Sequence, residues 1–218
     1  NERTGYTHRY ANKCGIRETF LLYPASAEDF FIVKDQHSQR TVLWNAAEKS
    51  ETRKNSRVAR ELVLALPHEL SQEGQAQLTR DMAAWLIENY RVAVDCAIHD
   101  PVNGDDARNV HAHLMFTTRE LNAAGMGQKT RILDDKTSGP AQTEAMREVW
   151  ETLANDALKS EGFEDIQIDR RSYEEQGIDA IPQTHIGPVA GEANKQEKSR
   201  SKADDETDDE EGKEDGKT

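Results

Sequence analysis

The chain has 218 residues, of which 41 are acidic and 28 are basic, and its formal net charge at neutral pH is −13. This balance excludes a protein that coats nucleic acid with its whole surface, because polyanions are bound by lysine and arginine. Two isolated cysteines exclude a disulfide framework, and no stretch has the length and apolar character of a membrane span or a secretion signal. We therefore expect one domain of ordinary size in the cytoplasm.

The first ninety residues predict two strands and two helices. The predicted elements are a strand at 19–23, a helix at about 40–55, a strand at 61–66, and a helix from Ser71 to about Tyr90. Leu62, Leu64 and Leu66 alternate along the second strand and predict that one of its faces is buried. Apolar residues recur at helical spacing after Ser71, which is a typical N-cap residue.

The centre of the chain contains three histidines within fifteen residues, at His99, His111 and His113. Alternate side chains of an extended strand share a face, so the two histidines of the His-Ala-His motif point the same way. Residues 92–99 and 110–117 both alternate, with the larger apolar residues on one face and the histidines on the other. If the polar segment between them connects an antiparallel hairpin, all three imidazoles lie on its open face.

Three convergent imidazoles predict a divalent-metal site. A histidine on a strand is more often an ordinary polar residue than a metal ligand. A His-x-His pair alone favours a metal site only modestly more. The position of all three histidines opposite the apolar face favours the metal site. Because three protein ligands leave coordination positions for water or substrate, the pattern is typical of a catalytic metal.

The second half of the chain predicts a loop, a long helix and a short strand. Residues 119–139 contain three glycines and predict a long loop, a kind of loop that is usually functional. Residues 139–160 begin with a Gly-Pro pair and carry an apolar stripe at helical spacing, so they predict a helix that Gly162 ends. Residues 163–169 predict a last strand, and residues 170–190 are irregular.

Any site for a polyanion must be local. Residues 191–218 contain 11 acidic and 6 basic residues, and the rest of the chain is still acidic without them. Four groups of basic residues are candidate sites: Arg3, His8, Arg9 and Lys13; Arg53, Lys54, Arg57 and Arg60; Lys129 and Arg131; Arg170 and Arg171. Each group taken alone is more often a solvated face than a binding site.

Five segments, in order along the chain, resemble one protein family. The segments are LWNAAE at 43–48, ARELVLALP at 59–67, AIHD at 97–100, NVHAHLMFTTR at 109–119 and PQTHIGP at 182–188. Together they resemble the plasmid mobilisation relaxases of the MobA/MobL type. They occur in the order of the family, at family-like distances, and cover most of residues 1–190. One such segment would mean little, but five in order are specific.

The resemblance implies a histidine-hydrophobe-histidine endonuclease that nicks one DNA strand at a plasmid's origin of transfer and then transfers that strand. In this family a tyrosine hydroxyl attacks the scissile phosphate and stays joined to the 5′ end. Three histidines matching His99, His111 and His113 hold a divalent metal that polarises the phosphate. Magnesium or manganese is the expected functional ion, and zinc or nickel also suits imidazole ligands.

Glu61 is the candidate acidic residue of the site. It begins its strand on the face opposite the leucines, so it lies beside the imidazoles if that strand neighbours the hairpin. There its carboxylate could orient a ligand or accept a tyrosine proton. A salt bridge to Arg57 or Arg60 is an equally weighted alternative. Glu48 and Glu51, three residues apart on the predicted helix, could also flank the site.

The sequence departs from the family pattern at the nucleophile. In the family the attacking tyrosine lies in an alanine-rich Ala-Tyr-Arg segment, which is followed by a stretch resembling residues 2–5. We therefore expect the nucleophile before Asn1, together with the first strand of the sheet. Tyr6 and Tyr10 are the nearest substitutes, although a buried or stacked aromatic is the favoured role for both.

These observations predict an α+β fold with an antiparallel sheet of about five strands. Two long helices cover one face of the sheet, and the three-histidine metal site lies on the other. Residues 1–190 form the relaxase domain, and residues 191–218, which lack large apolar side chains, form an acidic disordered tail or linker. The predicted DNA-binding residues are Arg3, Arg57, Arg60, Arg119, Lys129 and Arg131.

The resemblance also implies partners. They are single-stranded origin-of-transfer DNA, relaxosome accessory proteins and a coupling protein, all in the bacterial cytoplasm. The resemblance implies no role for His185. Two other functions remain compatible with the sequence. One is a metal-stabilised DNA-binding or assembly module that cuts no phosphodiester, and the other is a metal-dependent hydrolase of small molecules. Basic residues in the predicted loop favour a polyanion over a small substrate only weakly.

Overall fold

The computed structural model of the chain describes residues 15–33, 35–53, 55–101 and 106–179. The chain divides into two units, Asn1–Arg170 and Arg171–Thr218. The described part of the second unit, residues 171–179, consists of turns, so the predicted boundary near residue 190 lies outside the described residues. In the described ranges no helix combines the length and the apolar character needed to cross a bilayer.

Four antiparallel strands form the main sheet. They are β1 (Ile16–Leu22), β2 (Ala59–Ala65), β3 (Val94–His99) and β4 (His111–Thr117). Their spatial order is β1, β3, β4, β2, so the predicted histidine hairpin of β3 and β4 lies at the centre of the sheet. β2, the strand that contains Glu61, is the direct neighbour of β4.

Three helices and a second small sheet complete the described fold. The helices are α1 (Gln36–Lys49), α2 (Gln72–Tyr90) and α3 (Gly139–Ser160). The second sheet is a hairpin of β5 (Arg119–Asn122) and β6 (Gly125–Lys129), and a short 3-10 helix follows it at Arg131–Leu133. The structure therefore has the mixed α+β character that the sequence predicts.

The main core lies between one face of the sheet and the helices α2 and α3, as predicted. Ile98 and Leu114 point from the central hairpin into this core, and Leu86 and Leu158 point into it from the helices; all four are fully buried. Burial of each such side chain stabilises the fold by about 1.5–3 kcal/mol. Because side chains alternate along a strand, the same pairing directs the three histidines away from this core.

The helix α1 packs on the opposite face of the sheet, together with a 3-10 helix at Ala25–Phe30. The buried residues of this second cluster are Leu21, Ala27, Phe31, Leu43, Ala93 and Leu121. Asp95, on the same face of β3 as His99, accepts hydrogen bonds from Arg40 Nε at 2.7 Å and Trp44 Nε1 at 3.1 Å. One helix, α1, therefore covers part of the face that carries the histidines. The two long helices that the sequence predicts lie on the other face.

Local capping explains where the helices begin. The Ser71 hydroxyl accepts a hydrogen bond from the Gly74 amide at 3.0 Å, which confirms the predicted N-cap of α2. Asp35 caps α1 by accepting from the Ser38 amide at 2.9 Å, so this helix begins earlier than the predicted residue 40. It also ends earlier, at Lys49 rather than about residue 55.

The prediction of a long loop at residues 119–139 is wrong, because β5 and β6 form a hairpin there. In its turn the Asn122 side chain accepts a hydrogen bond from the Ala124 amide at 2.9 Å. Gly125 follows with φ of +104°, a conformation that other residues rarely adopt. The two strands are short, and Leu121 is their one fully buried large side chain, so no alternating pattern distinguishes them from a loop.

The prediction of a strand at residues 163–169 is also wrong. Asn155 on α3 donates from Nδ2 to the Ile168 carbonyl at 3.0 Å and accepts from the Ile168 amide at 2.8 Å. These two bonds satisfy the backbone of Ile168 with a side chain instead of a neighbouring strand. Within the described ranges the main sheet therefore has four strands rather than about five.

A buried carboxylate joins the second sheet to the end of α1. The Glu51 side chain is 3% exposed and accepts from Arg119 Nε at 2.9 Å and Lys129 Nζ at 2.6 Å. Burial raises the pKa of Glu51, but hydrogen bonds from Lys129, Arg119 and Ser56 outweigh it and leave this pKa below its ordinary value. The folded chain therefore favours the charged carboxylate, and this preference stabilises the fold at neutral pH.

We predict that Glu51→Gln lowers the free energy of unfolding by about 1–3 kcal/mol at pH 7, because two cations lose their buried partner. The depressed pKa means that the contribution is present at neutral pH and is lost as the pH falls through that value. Urea unfolding followed by tryptophan fluorescence should therefore show a difference from the unmodified chain that shrinks on acidification. Glu148→Gln, on the exposed side of α3, is the control. Equal stability of the Glu51 variant and the unmodified chain at pH 7 would contradict a stabilising role of the charged Glu51 carboxylate.

Candidate metal centre

The three predicted histidines come together at one end of the central hairpin. His99 is the last residue of β3 and His111 is the first of β4, and their Cα atoms are direct partners in the sheet. The ring centroids are 5.3 Å apart for His99 and His111, 4.8 Å for His99 and His113, and 5.3 Å for His111 and His113. Candidate ligand atoms from all three rings lie within 4.8 Å of one another, which confirms the predicted convergence.

The strand register explains why the rings meet. Ile98 pairs with Ala112 between the histidine positions, and both residues are fully buried in the main core. Their neighbours in the chain must then point to the other face, where the three imidazoles remain partly exposed. The core side chains thus determine which way the ligands point.

Two neighbouring acceptors orient the imidazoles of β4. His111 Nδ1 lies 2.9 Å from the Asn109 carbonyl oxygen, and His113 Nδ1 lies 2.9 Å from Glu61 Oε1. A carbonyl and an ionised carboxylate can only accept, so both Nδ1 atoms donate their hydrogen. The lone pair of each neutral ring is then on Nε2, the atom left to bind a metal.

Glu61 occupies the position predicted for it beside the imidazoles. Val63 on β2 pairs with His113 on β4, so its side chain is on the histidine face. Glu61 lies two residues before Val63 and therefore points to the same face. The Glu61 side chain is 51% exposed, so part of the carboxylate stays open to solvent. The alternative salt bridge to Arg57 or Arg60 is not formed, because both arginines pair with Asp134.

The donor set fits a divalent first-row cation. Three neutral imidazoles add no negative charge, so a bound cation would keep its charge for an anionic ligand. Three protein ligands also leave at least one coordination position open, as in catalytic rather than structural sites. A partly exposed position at the end of a hairpin would let such a ligand approach from solvent.

The segment after His99 is held by contacts that the sequence did not predict. The Asp100 amide donates to the Gly15 carbonyl at 2.7 Å, and Arg17 donates to the Asp100 carboxylate at 3.0 Å. Arg17 also donates to the Gln75 side chain at 2.6 Å. These bonds connect the end of β3 to β1 and α2. The presence of Asp100 in the family-like segment 97–100 was the available signal.

The predicted DNA-binding residues fall into two groups. Arg60, Arg119 and Lys129 are mostly buried and bonded inside the protein, whereas Arg57 and Arg131 are exposed. All of them lie away from the histidines, near the far end of β4 and around β5 and β6. Of the two predicted flanking acids, Glu51 belongs to this second region and not to the histidine site. The predicted residues Arg3, Tyr6, Tyr10 and His185 lie outside the described ranges, as do four further members of the candidate basic groups: His8, Arg9, Lys13 and Lys54.

Comparisons with known proteins agree with this arrangement. The MobA/MobL family matches residues 1–196. The mobilization protein MobL of Acidithiobacillus ferridurans is 30% identical over 94% of this chain and 59% of its own length. The conjugal transfer protein TraA of Rhizobium radiobacter is 31% identical over 91% of this chain and 20% of its own length. Mobilization protein A of Escherichia coli is 34% identical over 74% of this chain and 24% of its own length.

One solved structure is similar in fold and in sequence. It is described as the molecular basis of vancomycin resistance transfer in Staphylococcus aureus, and it superposes with a TM-score of 0.59 at 31% identity. The match covers 75% of this chain and 79% of the other. The chain spans about three fifths of the length of one curated relative and about a fifth of another.

We predict that the chain binds one divalent cation at the three imidazoles. Isothermal titration with Mn²⁺ should show that His113→Ala weakens binding by at least about 100-fold, because a directly coordinating atom is lost. Glu61→Gln should weaken it by about 10–100-fold, the usual effect of removing an acceptor that orients a metal-bound histidine. Circular dichroism would check that both variants stay folded.

His68→Ala is the matched control for this titration, since His68 is a half-exposed histidine paired with Glu69 outside the cluster. Its affinity should equal that of the unmodified chain. Unchanged affinity in His113→Ala would show that the cluster is not the binding site.

Proposed function

This chain belongs to the MobA/MobL family, and we propose that it is a relaxase that nicks one strand of plasmid DNA at the origin of transfer and then transfers that strand. The observation that carries the proposal is the convergence of His99, His111 and His113 on a partly exposed face of the sheet. An open cation site of neutral ligands suits a phosphodiester better than a neutral substrate. The mobilization and conjugal transfer names of the relatives support the same role.

The proposed reaction is a transesterification. A tyrosine oxygen attacks the scissile phosphorus, the bond from phosphorus to the 3′ oxygen breaks, and the departing oxygen takes up a proton. The tyrosine then holds the 5′ phosphate, and attack by a free 3′ hydroxyl reverses the step during strand transfer. A cation held by the histidines would supply positive charge to stabilise the extra negative charge on the phosphate oxygens.

The residues of the chain have separate tasks in this scheme. Nε2 of His111 and of His113 would hold the cation, while their Nδ1–H groups stay bonded to Asn109 and Glu61. Because Glu61 Oε1 is used in this bond, its second carboxylate oxygen is the one left to accept the tyrosine proton. The same carboxylate orients His113, so its loss affects both cation affinity and proton transfer.

The nucleophile is assigned from the family resemblance. A tyrosine in a segment before Asn1 is the proposed attacking group, with Tyr6 and Tyr10 as the substitutes within the chain. Magnesium or manganese is the proposed functional ion. The proposed partners are the single-stranded origin, relaxosome accessory proteins and a coupling protein in the bacterial cytoplasm, with residues 1–190 as the relaxase domain and residues 191–218 as a tail or linker.

We predict a covalent protein–DNA adduct that depends on the histidine cluster. The chain, with any residues that its gene encodes before Asn1, is incubated with overlapping single-stranded oligonucleotides from the transfer region of its plasmid and with Mg²⁺ or Mn²⁺. One oligonucleotide should give a denaturation-resistant adduct on its 5′ product, visible as a band of reduced mobility. His111→Ala and His113→Ala should lower its yield by at least about 100-fold, comparable to the loss of a stabilising group at the reacting phosphate.

His68→Ala should give the adduct at the normal yield, because it removes a histidine without touching the cluster. Chelation should remove the adduct, and added Mn²⁺ should restore it. Cation binding without any cleavage, in the chain with its encoded N-terminal residues, would contradict the relaxase and favour a non-cleaving DNA-binding or assembly module.

A further inference from the structure

We propose that the DNA has a second contact with this chain, in a cationic cleft beyond the far end of β4 that binds phosphates several nucleotides away from the scissile one. The inference depends on the proposed function, since it adds a contact for the same strand. The cationic cleft has a volume of about 720 Å³ and lies between residues 51–53 and 55–57 on one side and residues 129–135 on the other. Its basic lining residues are Arg53, Arg57, Arg119, Lys129 and Arg131.

The acidic side chains of the cationic cleft are already bonded to groups of the protein itself. Glu51 is bonded to two of the basic residues at the base of the cleft. Asp134 accepts from Arg57 and from Arg60, each at 2.6–2.7 Å. Asp135 accepts from the Thr137 and Ser138 amides at the beginning of α3, and these bonds lower its pKa. Since five basic and three acidic side chains line the cleft, its net charge is positive.

Three arginines are placed to contact a phosphate. Arg53 and Arg131 are exposed and, among the described residues, take part in no ion pair. Arg57 is paired with Asp134, but its side chain is 64% exposed, and an exposed pair of this kind contributes little. Arg57 can therefore exchange the carboxylate for a phosphate at small cost. A guanidinium is also the group best suited to hold a phosphate through two parallel hydrogen bonds.

The inner cations have a structural task instead. Arg119 donates to Glu51 and to the carbonyls of Gly127 and Ser50, and Arg60 donates to Asp134 and to Thr130. These bonds hold the second sheet against the end of α1 and β2. The DNA-binding set predicted from the sequence thus separates into residues that build the cleft and residues that face solvent in it.

The position of the cationic cleft gives the spacing of the two contacts. Arg119 lies two residues after the end of β4 and six residues from His113, so their backbones are at most about 20 Å apart at about 3.3 Å per residue. A strand stacked as in a duplex, which advances about 3.4 Å per nucleotide, would cover this distance in about six nucleotides. Short oligonucleotides that fill the metal centre should not reach the cleft.

The test compares salt dependence of DNA binding by fluorescence anisotropy. The probes are a labelled oligothymidine of about thirty nucleotides and one of about four, chosen to lie beyond and at the lower limit of a usual single-strand site. Arg53→Gln/Arg131→Gln is compared with Arg147→Gln/Lys159→Gln, which removes the same charge from exposed positions on α3. Two lost phosphate contacts should reduce the slope of log K against log salt by about 1.4 for the long probe.

The control variant should keep the slope of the unmodified chain, and the short probe should not distinguish the two variants. Equal slopes for both variants with the long probe would overturn the proposed DNA contact in the cationic cleft, even if the adduct of the proposed function forms. A reduced slope in Arg53→Gln/Arg131→Gln without any adduct from the unmodified chain would instead support the cleft and overturn the nicking reaction. Titration with Mn²⁺ should give the same affinity for both variants, because the metal centre is separate.

Discussion

The register between β3 and β4 is the constraint on which the candidate metal centre depends. The pairing that buries Ile98 against Ala112 places His99 opposite His111 on the other face. A shift of one residue would bring imidazoles into the apolar core and expose the apolar side chains, which costs far more than a polar cluster could return. The hydrophobic effect therefore aligns the ligands before any cation binds. The site needs little stabilisation of its own, so its ligands can stay partly exposed.

The pairing of β2 with β4 helps to orient the histidine rings, which the register of β3 and β4 does not do alone. β3 and β4 bring the rings together, but each ring can still turn about its side-chain bonds. The Asn109 carbonyl limits His111 from two residues before it in the chain, and Glu61 limits His113 from β2. Since β2 is about fifty residues away in sequence, this second contact exists only in the folded sheet. Such preorganisation lowers the cost of ordering the ligands when a cation arrives.

The parts of the structure that the sequence predicted are those with a strong periodic signal. The alternation around His111 and His113 and the helical stripe after Ser71 each continue long enough to determine both the element and its buried face. The hairpin of β5 and β6 has one fully buried large side chain, Leu121, so its pattern could not be distinguished from a loop. The segment 163–169 was predicted as a strand, but Asn155 satisfies the backbone of Ile168 from a helix. Partner choice of this kind depends on three-dimensional proximity, which no local pattern contains.

The partners of charged side chains also depend on three-dimensional proximity, which the sequence pattern does not contain. The sequence marks arginines and lysines as equal candidates for a polyanion, yet the fold divides them according to the acids that they meet. Arg119 and Lys129 meet a buried carboxylate and are held in place, whereas Arg53 and Arg131 face solvent in the cleft. A net charge of −13 does not oppose such a site, because charges more than about 8 Å away are largely screened at physiological salt. What a phosphate meets is the local set of cations. An acidic chain can therefore bind DNA wherever its acids are paired internally and a few arginines remain at the surface.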